Sequence, residues 1–389
     1  MKKTSLLQRP AVREVLRVLL AISIALIIGF IITLLVSKEP FEAYKMFLIG
    51  PLTRLNRAGE WIKESITLML LGLSVALVFK ANLFSLGAEG QMLMGALTSG
   101  VIALFVPLPG YLRIPLALVV AGASGFIWGA IPGFLKAKLK ANEIVSTLML
   151  NAIALRFYDY ILIFFIKRPG AGYNASDFFP KDGVLPTFIP NLPFLQDVYQ
   201  LFNTKANVTI MLYIALIAVY VVWRLMFRTP YGYELRMLGA NENFASYGGI
   251  DTKRTIVLTF AISGILAGLA GAHLGMGIHQ KLIANITVSL AFEGIVVALL
   301  ARNNPLMVPI SALAYGYLRA GADIMERSAD VSREMVLIIQ ALIILLVTAE
   351  RILPMIKQRI ETRKNMSAGA PLAATQEQAN ISEGGNDVI

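Results

Sequence analysis

Two Glu-Gly pairs hold most of the polar chemistry that this chain places inside its apolar stretches. Glu89-Gly90 and Glu293-Gly294 each open an apolar run. A carboxylate at the start of such a run is costly in hydrocarbon surroundings unless it faces a cavity or finds hydrogen-bonding company. Asn82, Gln91 and Asn151 are candidate polar company. Asn82, Glu89, Gln91, Asn151 and Glu293 therefore form a candidate lining for a path that bonds a polar solute transiently. The same carboxylates read equally as caps of interrupted helix backbone that never meet a solute. Two further charged pairs lie inside apolar runs: Arg156 with Asp159, and Arg319 with Asp323. At spacings of three and four, each pair can neutralise itself on one helix face.

Other chemistries find no support. The chain has no G-x-x-x-x-G-K-[ST] loop to cradle ATP phosphates and no G-x-S-x-G nucleophile elbow. It has no cysteine, which removes disulfides, thiolate metal sites and cysteine nucleophiles. Its two histidines, His273 and His279, are six apart, not the four that puts two ligands on one helix face. No catalytic residue, metal or cofactor is expected.

Composition sets the elements that must position these groups. Of 389 residues, 57% are hydrophobic and only 15% charged, with a mean hydropathy of +0.68. Soluble domains carry about 25% charged residues. Many apolar runs near the length that crosses a bilayer imply an all-α integral membrane protein, not a barrel of short alternating strands. About ten transmembrane helices are expected, near 16–36, 62–79, 86–106, 114–135, 144–166, 208–227, 256–276, 286–300, 305–322 and 335–350. The first is too long for a signal-peptide core and lacks a small-residue cleavage site after it, so it reads as a retained helix.

Orientation follows the Lys and Arg of the loops. An inside N-terminus and ten spans put 20 of the 35 Lys and Arg inside and 13 outside. Both termini and the 224–254 loop are then cytoplasmic. The basic pI of about 9.7 reads as this loop bias, not as nucleic-acid binding. The 167–207 loop, rich in Pro, Gly and Asn, faces outward and should lack long helices. The expected organisation is an N-tail over 1–15, a membrane domain over 16–360 and a disordered cytoplasmic tail over 361–389, small and polar in its last residues.

Two local patterns add detail. Glu89 to Leu97 echoes Glu293 to Leu300 in spans expected to run in opposite directions, the trace an inverted-topology repeat would leave. Glycines at 125, 129 and 133, and at 264, 268, 271 and 275, are spaced for close helix approach.

Residues 229–250, TPYGYELRMLGANENFASYGGI, form a polar, helix-capable segment between two long apolar runs. Pro230 and Gly232 break the preceding helix. Asn241 can cap a short helix with Glu242 at its positive end, and Gly248-Gly249 supplies a left-handed stop. Phe244 and Tyr247, three apart, project from one face with small Ala245 between them. This face could enter a groove on a partner or rest on lipid headgroups.

Thr229, Gly232, Arg236, Gly239, Asn241, Ala245, Gly249 and Ile250 fall in an order and spacing that resembles the coupling loop of permease subunits of ATP-binding-cassette (ABC) importers, in the branched-chain amino acid, ribose and nucleoside branch. The departure is Phe244-Ala245-Ser246 where the common form has two alanines. Ser263 to Ala272 looks like the small-residue span that follows this loop. Asn82 to Gln91, ending Glu-Gly-Gln, resembles the nucleoside-type and simple-sugar permeases. Asn142 to Asn151 resembles the signature of nucleoside importers of the basic-membrane-protein type. The likeness covers roughly residues 10–360.

The resemblance implies a permease without catalytic function, contacting a cytoplasmic ABC ATPase through Arg236, Gly239, Asn241, Phe244, Ala245, Tyr247 and Gly249. It also implies a second permease subunit, a paralogue, and an extracellular substrate-binding lipoprotein that delivers a nucleoside. Simple sugars such as ribose are the alternative cargo. An ion-coupled secondary transporter is the alternative of another class, although it would want more acidic or histidine relays within its spans.

Overall fold

The computed structural model describes residues 27–34, 37–168, 170, 172–187, 208–287, 290–328, 331, 338 and 341. The chain divides into two compact units, one of residues 1–40 with 331–389 and one of residues 41–330. In the first, residues 27–34 are helical. The expected spans 16–36 and 335–350 and the tail 361–389 lie largely or wholly outside the described residues.

The second unit is helical. Its elements are α1 (Pro40–Thr53, whose first residue belongs to the other unit), α2 (Leu55–Lys80), α3 (Ala88–Phe105), α4 (Gly110–Leu139), α5 (Glu143–Ile161), α6 (Met211–Arg228), α7 (Pro230–Ala240), α8 (Glu242–Tyr247), α9 (Thr252–Ala272), α10 (Leu290–Leu300) and α11 (Val308–Ser328). α5 and α9 continue through wider π turns to Ile166 and His279. Extended pairing among the described residues is limited to isolated bridges, Ala175 with Ile283 and Thr187 with Thr209.

Six of these helices are long and apolar enough to cross a membrane: Leu55–Lys80, Ala88–Phe105, Gly110–Leu139, Glu143–Ile166, Met211–Arg228 and Thr252–His279. They match six of the expected spans, five to within about four residues at either end, while α2 begins seven residues before the expected 62. Among the described residues of 286–300 the helix is Leu290–Leu300, 11 residues. At about 1.5 Å per residue that is roughly half a bilayer. α11 has the length to cross but carries Arg319 and Asp323 in its course.

α2, α3 and α9 form the centre. From Ser65 to Val78 α2 is buried without interruption. α4, α5 and α6 wrap the outside and leave large apolar side chains exposed. The small residues explain how the layers close. α4 and α9 meet backbone to backbone: a β-carbon on Gly125 would stand 2.1 Å from the carbonyl oxygen of Gly264. Along the same antiparallel seam Gly129 meets Phe260, Gly133 meets Val257, and Gly268 meets Ala121. Close contact of this kind is the main source of helix adhesion where lipid is as apolar as the side chains. Polar links join α2 to α9 and its continuation: Ser74 Oγ donates to the Ser263 carbonyl at 2.8 Å, and Thr67 Oγ1 bonds fully buried His273 Nδ1 at 2.9 Å.

Candidate functional site

The first candidate site is the start of α3. Residues 81–87 are not helical, yet they sit against the first turns of α5, with Gly87 beside Thr147 and Gly90 beside Asn151. Non-helical backbone at such a place must be satisfied by protein. Asn151 does this: its Oδ1 accepts from the Gly90 N–H at 2.9 Å and its Nδ2 donates to the Leu86 carbonyl at 2.7 Å. Thr147 Oγ1 accepts from the Leu86 N–H at 3.3 Å. The Asn142 side chain caps α5, and Glu143 pairs with Lys136 at 2.7 Å.

The five residues expected to line a path do not form one cluster. Asn82 is exposed and holds a left-handed turn at φ 55, a conformation Asn tolerates. Gln91 is 1% exposed, wedged against α4 near Gly129, and its Oε1 has no hydrogen-bond partner. The Trp128 indole N–H is likewise buried without a partner and lies beside Gly90. Glu89 is half-buried and takes a long 3.5 Å bond from Thr287.

Thr287 belongs to a second non-helical stretch, 280–287, that precedes α10. The loop 172–187 fixes its start: Leu282 and Ser176 exchange two bonds, Phe179 N–H donates to Gln280, and Ala284 N–H donates to Asn174. Tyr158 of α5 donates to the Ile283 carbonyl at 3.0 Å. This stretch passes Gly100 at Leu282 and reaches Glu89 at Thr287.

Glu293, in the first turn of α10, lies in another cluster. It accepts a bond from Arg319 Nη1, and Arg319 Nε stands 3.3 Å from Glu64 Oε2. The sequence suggested that Arg319 pairs with Asp323 on its own helix. The guanidinium instead ties α11 to α2 and α10, because two carboxylates from neighbouring helices point at it. Glu64, in the polar first part of α2 between Lys63 and Ser65, was missed in the sequence, where nothing sets it apart from Glu60 and Lys63.

The second candidate site is α7 and α8, at the end of the unit where α2 finishes and α9 begins. Thr229 caps α7, accepting from the Gly232 N–H at 3.1 Å. Pro230 at the first helical position starts this 11-residue helix. It was legible in sequence only as a break. Arg236 donates to the Met226 carbonyl and lies over the Phe227 ring. Tyr231 bonds Thr259 at 2.8 Å, and burial pushes its phenol up to about 12, so it keeps its proton. Glu234 accepts from Thr255 at 3.2 Å. These bonds fasten α7 to α6 and α9.

α8 follows with Asn241 Oδ1 accepting from the Phe244 N–H at 3.0 Å and Gly249 in the left-handed region at φ 82. Phe244 and Tyr247 are 62% and 92% exposed, while Ala245 is 1% exposed and faces inward. The expected contact set thus divides. Arg236, Gly239, Ala245 and Gly249 build and anchor the segment, and Phe244 and Tyr247 are free to touch something else.

A hollow of about 770 Å³ lies at the opposite end, where Tyr111, Lys181, Thr209 and Gln280 are among its walls. None of the five expected path residues lines it.

Six helices long and apolar enough to cross a membrane, with an anchored helical loop between two of them, define a multi-spanning membrane protein. The chain belongs to the branched-chain amino acid transport system / permease component family, whose model matches residues 57–348. It is 32% identical over 333 residues to the guanosine ABC transporter permease protein NupP of Bacillus subtilis, covering 85% of this chain and 92% of that one. It is 30% identical over 358 residues to the nucleoside ABC transporter permease protein NupB of Lactococcus lactis, covering 92% and 96%. Similarity also extends to the glucose ABC transporter permease protein TsgB13 of Haloferax volcanii, at 31% over 332 residues, 85% and 86% of the two chains. No solved structure matches at a significant level.

Proposed function

We propose that this chain is the membrane permease subunit of an ABC importer that carries nucleosides into the cell. The observation that carries the reading is the anchored helix pair α7–α8, whose Phe244 and Tyr247 stand exposed as an aromatic face among the described residues. Cytoplasmic ATPase subunits dock there and move α6 and α9 through the bonds of Arg236, Tyr231 and Glu234, and α2 through the contact of Gly239 with Lys80. A second permease, a paralogue, closes the path. A substrate-binding lipoprotein delivers cargo at the opposite end, beside the 172–187 loop. The α7–α8 end and both termini are cytoplasmic, and the whole protein has ten spans.

Nucleosides are favoured over sugars by two features. The Glu89-Gly90-Gln91 and Asn142–Asn151 segments are structurally joined through Asn151, so both signatures describe one place in the fold. The names of NupP and NupB point the same way. An inverted repeat, with α3 and α10 running in opposite directions from their Glu-Gly starts, belongs to the same reading. The test is uptake of labelled uridine or adenosine by cells with and without the chain. Uptake depends on it and is competed by excess unlabelled nucleoside, not by ribose. Equal competition by ribose would leave the sugar reading standing instead.

A further inference from the structure

Arg156 stands where a lipid-facing residue should be. On a helix of about 3.6 residues per turn, the buried line of α5 runs through Thr147, Asn151, Ala154 and Tyr158. Arg156 falls on the opposite side, in a stripe with Val145, Met149 and Ala152, all exposed. It is ten residues from Ile166, about 15 Å along the axis, so its guanidinium lies well within the span. Toward that end the helix carries an aromatic group, with the Tyr160 and Phe164 rings 4.9 Å apart and Phe165 at 5.9 Å from Tyr160. These rings stand between Arg156 and the interface to which a long side chain would otherwise extend.

The other outward helices differ. α4 carries no charged residue from Ile114 to Leu135, and α6 none from Met211 to Trp223. Their exposed Val119, Ile127, Leu216 and Ile217 suit hydrocarbon. A guanidinium exposed at mid-span does not, and such groups face water-filled cavities or partners. Asp159, three residues on, has one buried carboxylate oxygen without a hydrogen-bond partner.

We infer that the exposed face of α5 is a wall of the aqueous transport path, with Arg156 a cargo-contacting residue and the Tyr160–Phe164–Phe165 rings its aromatic outer rim. This rests on the permease reading above. The guanidinium donates to acceptor atoms of the cargo, such as ribose oxygens and base carbonyls, and the rings offer flat apolar area to a base. α4 and α6 are the lipid-facing sides.

The test uses the native absence of cysteine. Met149→Cys and Ile217→Cys are made in the full transporter, in membranes, because their parent side chains are equally open on this chain, at 65% and 61%. Ala152→Cys is added beside Arg156. A charged, membrane-impermeant thiol reagent modifies only thiols that meet water as thiolate. Positions 149 and 152 are expected to react at least about tenfold faster than 217, and excess uridine is expected to slow them. Arg156→Gln should raise the KM for uptake about tenfold at unchanged membrane level, with Arg156→Lys giving partial recovery. Reactivity at 149 and 152 no greater than at 217 would overturn the wall, whether the face is then in lipid or sealed against a second permease. That failure is separate from failure of the nucleoside reading, in which the thiols react but ribose, not uridine, protects them.

Discussion

Gly239 of α7 lies directly against the end of α2: a β-carbon there would come within 2.3 Å of the Lys80 carbonyl oxygen. The contact is backbone to backbone, so no side chain can yield. It seats α7 against the end of the central helix, and it separates two ways in which the segment can fail. Gly239→Val must push α7 off α2. It is expected to lower the unfolding midpoint in detergent, by overpacking of about 1–3 kcal/mol, and to abolish uptake. Phe244→Asp changes an exposed side chain, so stability should move by less than about 0.5 kcal/mol while uptake is lost. Thermal unfolding of the two purified variants, beside uptake, checks the division.

Asn151 is expected to be structural before it is functional. Its amide satisfies the Gly90 N–H and the Leu86 carbonyl at once. Asn151→Leu leaves both unpaired, at about 1–3 kcal/mol for each buried group. Membrane level and unfolding midpoint should fall together. Normal stability with weakened uptake would instead place Asn151 in the path.

The Glu64–Arg319–Glu293 cluster predicts an asymmetry. Arg319→Gln leaves two carboxylates facing each other without their cation, and loss of one partner of a buried ion group costs about 3–5 kcal/mol. Glu293→Gln leaves Arg319 beside Glu64 at 3.3 Å and should cost less. In a double-mutant cycle the combined change should be milder than the sum of the single ones. Strict additivity would argue against the contact.

Sidedness is read from one position. Ala240 is exposed at the α7–α8 junction, and a lone cysteine there, in an otherwise cysteine-free chain, should be unreactive to an impermeant reagent added outside intact cells. It should react after permeabilisation. Labelling from outside would invert the topology.

Much of this was written in local pattern. The apolar runs locate six spans because hydrocarbon demands unbroken helix and tolerates few charges. The cap at Asn241 and the left-handed Gly249 follow from short-range chemistry, and both stand in the structure. The glycine spacing foretold close helix approach, though not that α4 and α9 would be the pair. Pairings between distant segments were not legible. Nothing near Arg319 in sequence announces Glu64 and Glu293, so its neighbour Asp323 looked the natural partner. Nothing in the 286–300 run says that residues 284–287 form a turn, since the loop 172–187 that holds the residues around 280–284 lies a hundred positions away. The burial of Ala245, against the exposure of Phe244, required a three-dimensional view of which side α8 turns inward.

The most direct measurement is uptake of labelled uridine into proteoliposomes holding the complete transporter, with ATP supplied on the α7–α8 side. The account predicts uptake that requires ATP hydrolysis, is indifferent to excess ribose, and is lost on Phe244→Asp although the subunit remains inserted and folded. Uptake that proceeds without ATP on an ion gradient, or at the wild-type rate with Phe244→Asp, would contradict it.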